Sequence, residues 1–206
     1  MQTSFLSLSL FYNTFADGMA AYDLVNTALI QEELAWVERA KRNPEHFHYL
    51  YEKYARVIFY FIFRRTNEAE IAEDLTSQTF LKALEKIHTF QDRGVPFSAW
   101  LYKIATNEVN LYYRKHQTNP VVSLEETFAH RLADDNPENI TEESLQELAN
   151  VLADLDSNDL LLLQLRFYED KSFKEIAFIL DIQEATAKMR LYRLLEKLKE
   201  KLKKNV

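Results

Sequence analysis

The chain has 206 residues and a net charge of -7, with 47% apolar and 13% aromatic residues, enough to fill the core of one domain or of two small ones without covalent staples. It has no Cys, which excludes disulfides, thiolate zinc sites and a cysteine nucleophile and fits a reducing cytoplasm. Only two Gly and four Pro leave few turns, so long helices and an all-α fold are expected.

The opening segment, residues 1–28, is apolar in places but carries no Lys or Arg ahead of its apolar part and is broken by Ser, a poor signal peptide. It reads as a pendant extension of unassigned role, with Met19 an alternative start. No run approaches the roughly 18 uninterrupted apolar residues of a spanning helix, so no membrane insertion is expected.

The first strong helix signal follows Asn43, a capping residue, and Pro44, suited to a first helical position. Phe47, Leu50, Tyr51, Tyr54, Ile58, Phe61 and Ile62 then recur at helical spacing and read as core. The next predicted helix, from about Asn67 to His88, has two sides. Phe80, Ala83, Leu84 and Ile87 project together, and Asp74, Ser77, Gln78, Leu81 and Glu85 project opposite them. One Leu among small polar and acidic residues is either a stray on a solvated face or the anchor of a docked partner. After a loop, Phe90–Pro96, a third helix is predicted from Phe97 to about His116. Its core side carries Leu101, Ile104, Ala105 and Tyr112; the other side lines up Trp100, Lys103, Asn107, Asn110 and Arg114. An aromatic followed by cations and amides suits stacked bases and paired phosphates of a single strand, the alternative being a buried Trp100.

Residues 125–159 hold eleven Asp/Glu and one Arg, a net of -10, and include the aperiodic stretch 133–139. An acidic linker is placed at 119–143, separating a helical domain at 29–118 from a second at 144–206. In the second, Ser172 with Glu175 three residues on forms a capping box before Ile176, Ile179 and Leu180. A turn at 181–183 and a second helix from Glu184 complete a helix-turn-helix, the geometry that offers its second helix to a DNA major groove. In that helix Ala187, Leu191, Leu194, Leu195 and Leu198 share the core side, and Thr186, Met189, Arg190, Tyr192, Arg193 and Lys197 face away. Residues 181–206 carry eight Lys/Arg against four Asp/Glu, a net of +4 in an acidic chain, as a phosphate-binding surface requires.

Three segments, Asp74–Phe80, Phe97–Asn107 and Leu163–Tyr168 running into the helix-turn-helix, resemble in order and spacing regions 2 and 4 of the extracytoplasmic-function (ECF, group IV) bacterial sigma factors. The resemblance covers about residues 29–204. It implies a region 2 helical bundle at 29–118, a region 4 helix-turn-helix at 144–206, and the role of a cytoplasmic specificity subunit of RNA polymerase. It implies that Asp74, Gln78 and Leu81 dock on the core polymerase. Gln91, Asp92, Arg93 and Gly94 of the loop, with Trp100, Lys103, Asn107 and Arg114 of the following helix, would capture the minus-ten promoter element and accept a flipped base. Glu184, Thr186, Lys188, Met189, Arg190 and Arg193 would read the minus-thirty-five element as duplex. Core polymerase and promoter DNA are the implied partners, with an anti-sigma factor as a further one; no cofactor or metal is expected.

The chain departs from the family pattern at several of these positions. Ser77 and Gln78 stand where Gln and Glu are usual, Asp181 replaces the turn Gly, and Gln183 replaces a Ser cap. Ala185 and Met189 replace a Gly and a small polar residue on the reading face. A helix-turn-helix regulator that never touches polymerase is the alternative; the exposed Lys103, Asn107 and Arg114 stripe argues against it, since a dimerisation domain needs no single-strand surface. An enzyme has little support, because the five His are scattered and no Gly-rich phosphate loop exists.

Overall fold

The computed structural model describes residues 30–117, 150–152 and 155–204, and every regular element among them is helical. The expected extension at 1–28 and the acidic linker at 119–143 lie outside the described residues.

In the N-terminal unit, α1 spans 30–42. Asn43 then caps a single 3-10 turn, Pro44–His46, accepting from Glu45 N at 3.0 Å, and α2 follows at Phe47–Thr66. The 3-10 turn exploits the fixed φ of Pro44 and the cap, so the α-helix proper begins three residues later than Pro44. Of the residues expected in its core side, Phe47, Leu50, Tyr54, Ile58, Phe61 and Ile62 are buried. Tyr51 is not: it is 47% exposed and meets Phe80 edge-on with ring centroids 4.9 Å apart. Asn67 does not begin the next helix either. It ends α2 in the left-handed conformation at φ 54°, one of the few conformations Asn tolerates well, and α3 begins at Ala69 and runs to Lys86. Thr76 and Thr79 are buried in α3 with their hydroxyls bonded to the carbonyls of Ala72 and Leu75 at 2.6 and 2.7 Å, so neither hydroxyl is orphaned.

α4, Phe97–His116, crosses both and is tied at each end. Its first free N–H, on Phe97, donates to buried Glu33 of α1 at 2.8 Å, and the same carboxylate accepts from the Tyr54 hydroxyl and from Lys53 at 3.2 Å. A carboxylate at a helix N-terminus both fills an orphan donor and complements the dipole. At the other end the Tyr113 hydroxyl donates to the Arg65 carbonyl at 2.6 Å, filling an orphan acceptor of α2. Burial and the nearby Glu33 carboxylate push the Tyr54 phenol well above its ordinary value. Arg65 lies in this core, 1% exposed, and burial lowers its guanidinium to about 10.

The C-terminal unit contains α5, Ser157–Leu163, which tightens no further but widens into a π turn at Gln164–Tyr168, then α6, Phe173–Leu180, and α7, Glu184–Lys204. Asp156 caps α5, accepting from Asn158 N and Asp159 N at 2.8 and 2.9 Å. Ser172 and Glu175 form the expected capping box in both directions, Glu175 N to Ser172 Oγ at 3.2 Å and Ser172 N to Glu175 Oε2 at 2.9 Å. Val151, Leu152, Leu161–Leu163, Leu165, Ile176, Ile179, Ala187, Leu191, Leu194 and Leu198 make its core. Leu195, expected with them, is half-buried.

Candidate polymerase and nucleic-acid interfaces

The outer face of α3 is built as its periodicity requires. Phe80, Ala83 and Ile87 are buried and Leu84 is half-buried, leaving Asp74, Ser77, Gln78, Leu81 and Glu85 exposed in one stripe. Leu81 is 57% exposed, the most exposed large apolar side chain among the described residues. Its neighbour Lys82 turns the other way and pairs with Glu108 of α4 at 2.5 Å, holding α3 against α4.

The second surface is the loop before α4 and the outer side of α4. Gln91, Asp92, Arg93 and Gly94 are all exposed. Gly94 adopts φ 66°, and its N–H donates to Asp92 Oδ1 at 2.7 Å, so the loop closes on itself around a residue that needs the left-handed region. Trp100 is half-buried: its ring meets Phe90 and Phe97, each with centroids 5.4 Å away, and the rest faces outward. Asn107, Asn110 and Arg114 continue the stripe and are exposed. Ile104 and Tyr112, expected in the core, are half-buried; Tyr102, Val109 and Tyr113 fill the core in their place.

Lys103 is the exception in that stripe, because the C-terminal unit lies on it. Its ammonium pairs with Asp181 at 2.8 Å and stands 5.2 Å from the centroid of Phe178. Lys174 stands beside Gly94, its Nζ 2.8 Å from where a Cβ on Gly94 would sit. The hydrogen bond from Lys103 and its charge hold the Asp181 carboxyl below the usual aspartate range. Asp181 is itself left-handed at φ 58°, and the N–H groups of Asp181 and Ile182 both bond to the Ala177 carbonyl, so the turn forms with Asp where the resemblance expects Gly.

A second set of contacts between the units has no precursor in the sequence reading. The Gln164 side chain in the π turn donates to the Phe61 carbonyl of α2 at 3.0 Å. Glu169, its side chain 5% exposed, accepts from the Tyr102 hydroxyl of α4 at 2.5 Å and from Arg64 of α2 at 3.3 Å. Burial raises the Glu169 carboxyl, and Tyr102 and Arg64 oppose that shift; burial and the adjacent Glu169 raise the Tyr102 phenol. The wide π turn that carries Gln164, a distortion often found at functional positions, leaves no periodicity in the sequence to read.

The third surface is α7. Glu184, Thr186, Lys188, Met189 and Arg193 are exposed, with Met189 at 51%, and Ala187, Leu191, Leu194 and Leu198 are buried beneath them. Arg190 differs from the expectation that it faces solvent: it is half-buried and paired with Asp159 of α5, Nε and Nη2 lying 2.9 and 2.8 Å from one carboxylate oxygen. An open groove of about 700 Å³ runs between the start of α5 and α7, bounded by Asp156, Asp159, Thr186, Met189, Arg190 and Arg193. An elongated, exposed helix face with cations along an open groove can enter a DNA major groove. Among the described residues, no group of three His, Asp or Glu is placed to hold a metal ion.

Comparison with known proteins places the chain in a family. The sigma-70 region 2 profile matches residues 50–118 and the sigma-70 region 4 profile matches 151–200. The chain is 32% identical over 160 residues to the ECF RNA polymerase sigma factor BldN of Streptomyces coelicolor, covering 76% of this chain and 61% of that one. It is 30% identical over 161 residues to the RNA polymerase sigma factor YlaC of Bacillus subtilis, covering 76% of this chain and 91% of that relative. The fold is like that of the sigma factor RpoE in its complex with the anti-sigma factor NepR from Bartonella quintana, with a TM-score of 0.52, 24% identity, and 76% and 96% of the two chains covered. The chain therefore belongs to the RNA polymerase sigma factors, the subunits that direct promoter recognition in transcription initiation.

Proposed function

We propose that the chain is a sigma factor of the extracytoplasmic-function group (group IV), working in the cytoplasm, with region 2 at 29–118, an acidic linker at 119–143 and region 4 at 144–206. Asp74, Gln78 and Leu81 contact core polymerase. Gln91, Asp92, Arg93 and Gly94 with Trp100, Lys103, Asn107 and Arg114 take the minus-ten element as a single strand. Glu184, Thr186, Lys188, Met189, Arg190 and Arg193 take the minus-thirty-five element as duplex. An anti-sigma factor is a further proposed partner, one that would cover the same polymerase-facing and DNA-facing residues. Catalysis stays with the polymerase.

The observation that carries this reading is the segregation of three chemically different faces on a shared helical scaffold. A lone exposed Leu among polar residues suits helix-face docking, an aromatic above cations and amides suits unstacked bases, and a cationic helix edge along a groove suits duplex. No helix among the described residues is long and apolar enough to cross a membrane. The test is footprinting of the reconstituted holoenzyme on genomic promoter fragments. Two protected blocks, the downstream one reactive to permanganate, are expected; protection by the isolated chain alone, unchanged by core polymerase, would return the protein to a regulator that acts without polymerase.

A further inference from the structure

Arg190 sits on the recognition helix, yet it does not stand there as a solvated cation. Its Nε donates to Oδ1 of Asp159 at 2.9 Å and its Nη2 is ion-paired with the same oxygen at 2.8 Å, while Nη2 also makes a long hydrogen bond of 3.5 Å to Asp156, at the weak limit of such bonds. Asp159 is in turn fixed, its side chain largely buried at the start of α5 and its backbone N–H bonded to Asp156. A guanidinium carries five N–H donors in one rigid plane. Asp159 occupies the edge formed by Nε and Nη2, which leaves at the far end Nη1 and a second Nη2 hydrogen held only by the long, exposed bond to Asp156, one that a base acceptor at normal distance displaces. That end is a fork matched to the O6 and N7 acceptors of a guanine in the major groove. The carboxylate also offsets the charge, so Arg190 brings little to non-specific attraction for phosphates.

We infer that Asp159 is a positioning residue for promoter recognition: by clasping one edge of the Arg190 guanidinium it makes Arg190 a reader of one base pair, a guanine at the upstream element, rather than a mobile phosphate clamp. This rests on the reading of α7 as the minus-thirty-five helix. Asp159 touches no DNA itself, and its contribution is the direction and the charge of its partner.

The experiment uses holoenzyme assembled from core polymerase and the full chain, on duplexes randomised through the upstream element, with affinities then measured over a salt series on the preferred sequence and its single mismatches. Asp159→Ala is expected to lower affinity for the preferred sequence roughly tenfold, to flatten the preference at one position, and to steepen the salt dependence by about one unit of slope as the released cation finds a phosphate. Asp159→Asn, which keeps the volume and an acceptor oxygen, should fall between wild type and Ala on both readouts. Preference and slope both unchanged in Asp159→Ala would overturn the proposal. So would equally tighter binding to every sequence, which would make Asp159 a mask, or a uniform loss on all sequences with a lowered melting temperature and the preference intact, which would make it structural. If Arg190→Ala flattens one position and Asp159→Ala does not, positioning alone fails; if wild-type holoenzyme shows no upstream preference, the reading of α7 fails.

Discussion

At the scale of single residues, exposure and neighbours separate the roles that spacing left open. Leu81 projects from α3 with more than half its surface in solvent and no described core contact to lose, so Leu81→Arg should leave the melting temperature within about 1 °C while weakening binding to core polymerase by roughly 2 kcal/mol or more, as for a central anchor of an interface. A titration of labelled chain with core polymerase measures this, and an unchanged curve would make Leu81 a stray on a solvated face. Trp100 is more divided. It packs on Phe90 and Phe97 but keeps an outward side, so Trp100→Ala should lower stability somewhat on any assay. A stacking role shows as a difference: strand opening on a duplex promoter should fall by the equivalent of about 1 to 3 kcal/mol per base lost, and a template with a pre-melted bubble should behave differently from the duplex in permanganate footprinting. Equal loss on both templates, together with the lower melting temperature, leaves Trp100 a packing residue alone.

At the scale of elements, the helices with strong caps were legible to the residue. The box of Ser172 and Glu175 follows directly from side chains that satisfy the first free N–H groups, and the start at Phe97 follows from Pro96, whose fixed φ precedes the helix without a side-chain cap. Ser172→Ala should therefore cost about 1 kcal/mol, a fall of roughly 2 to 4 °C in melting temperature for a chain of this size, because it also strips buried Glu175 of its hydroxyl partner; scanning calorimetry of the intact chain measures it. Where the reading slipped, a local residue was satisfied by something the period does not encode. Asn67 looked like a helix start and is the left-handed end of the helix before it; Tyr51 has the right spacing for the core but lies at the edge of the α2 and α3 contact, where one ring is enough. The three candidate surfaces were readable because each lies on one face of one helix. Glu33, Gln164, Asp159 and Glu169 were not, because their partners are 20 to 105 residues away and their meaning comes only from packing.

At the scale of the whole molecule, the two units are joined by a buried contact and by a peripheral one, and both bear on when promoter DNA can be bound. Asp181 places a carboxylate on Lys103, where the proposed minus-ten strand would place a phosphate, and Lys174 stands beside Gly94 of the loop. The exposed Lys103–Asp181 pair is worth little by itself. The buried set around Glu169 carries the contact, since removing one partner of a buried, hydrogen-bonded charge group leaves the others unpaired in low dielectric. Glu169→Ala should thus weaken the closed arrangement by at least about 2 kcal/mol, a shift of roughly thirtyfold toward separated units. In the absence of core polymerase the wild-type chain should bind a minus-ten bubble weakly. The Glu169→Ala chain should bind it more tightly and show a larger radius of gyration in solution scattering, with Lys103→Ala reversing the gain in affinity but not the change in size. With core polymerase present, which is expected to separate the two regions, the two chains should bind the bubble alike. If Glu169→Ala expands the molecule without any gain in bubble binding, the contact between the units joins them but does not guard the α4 surface.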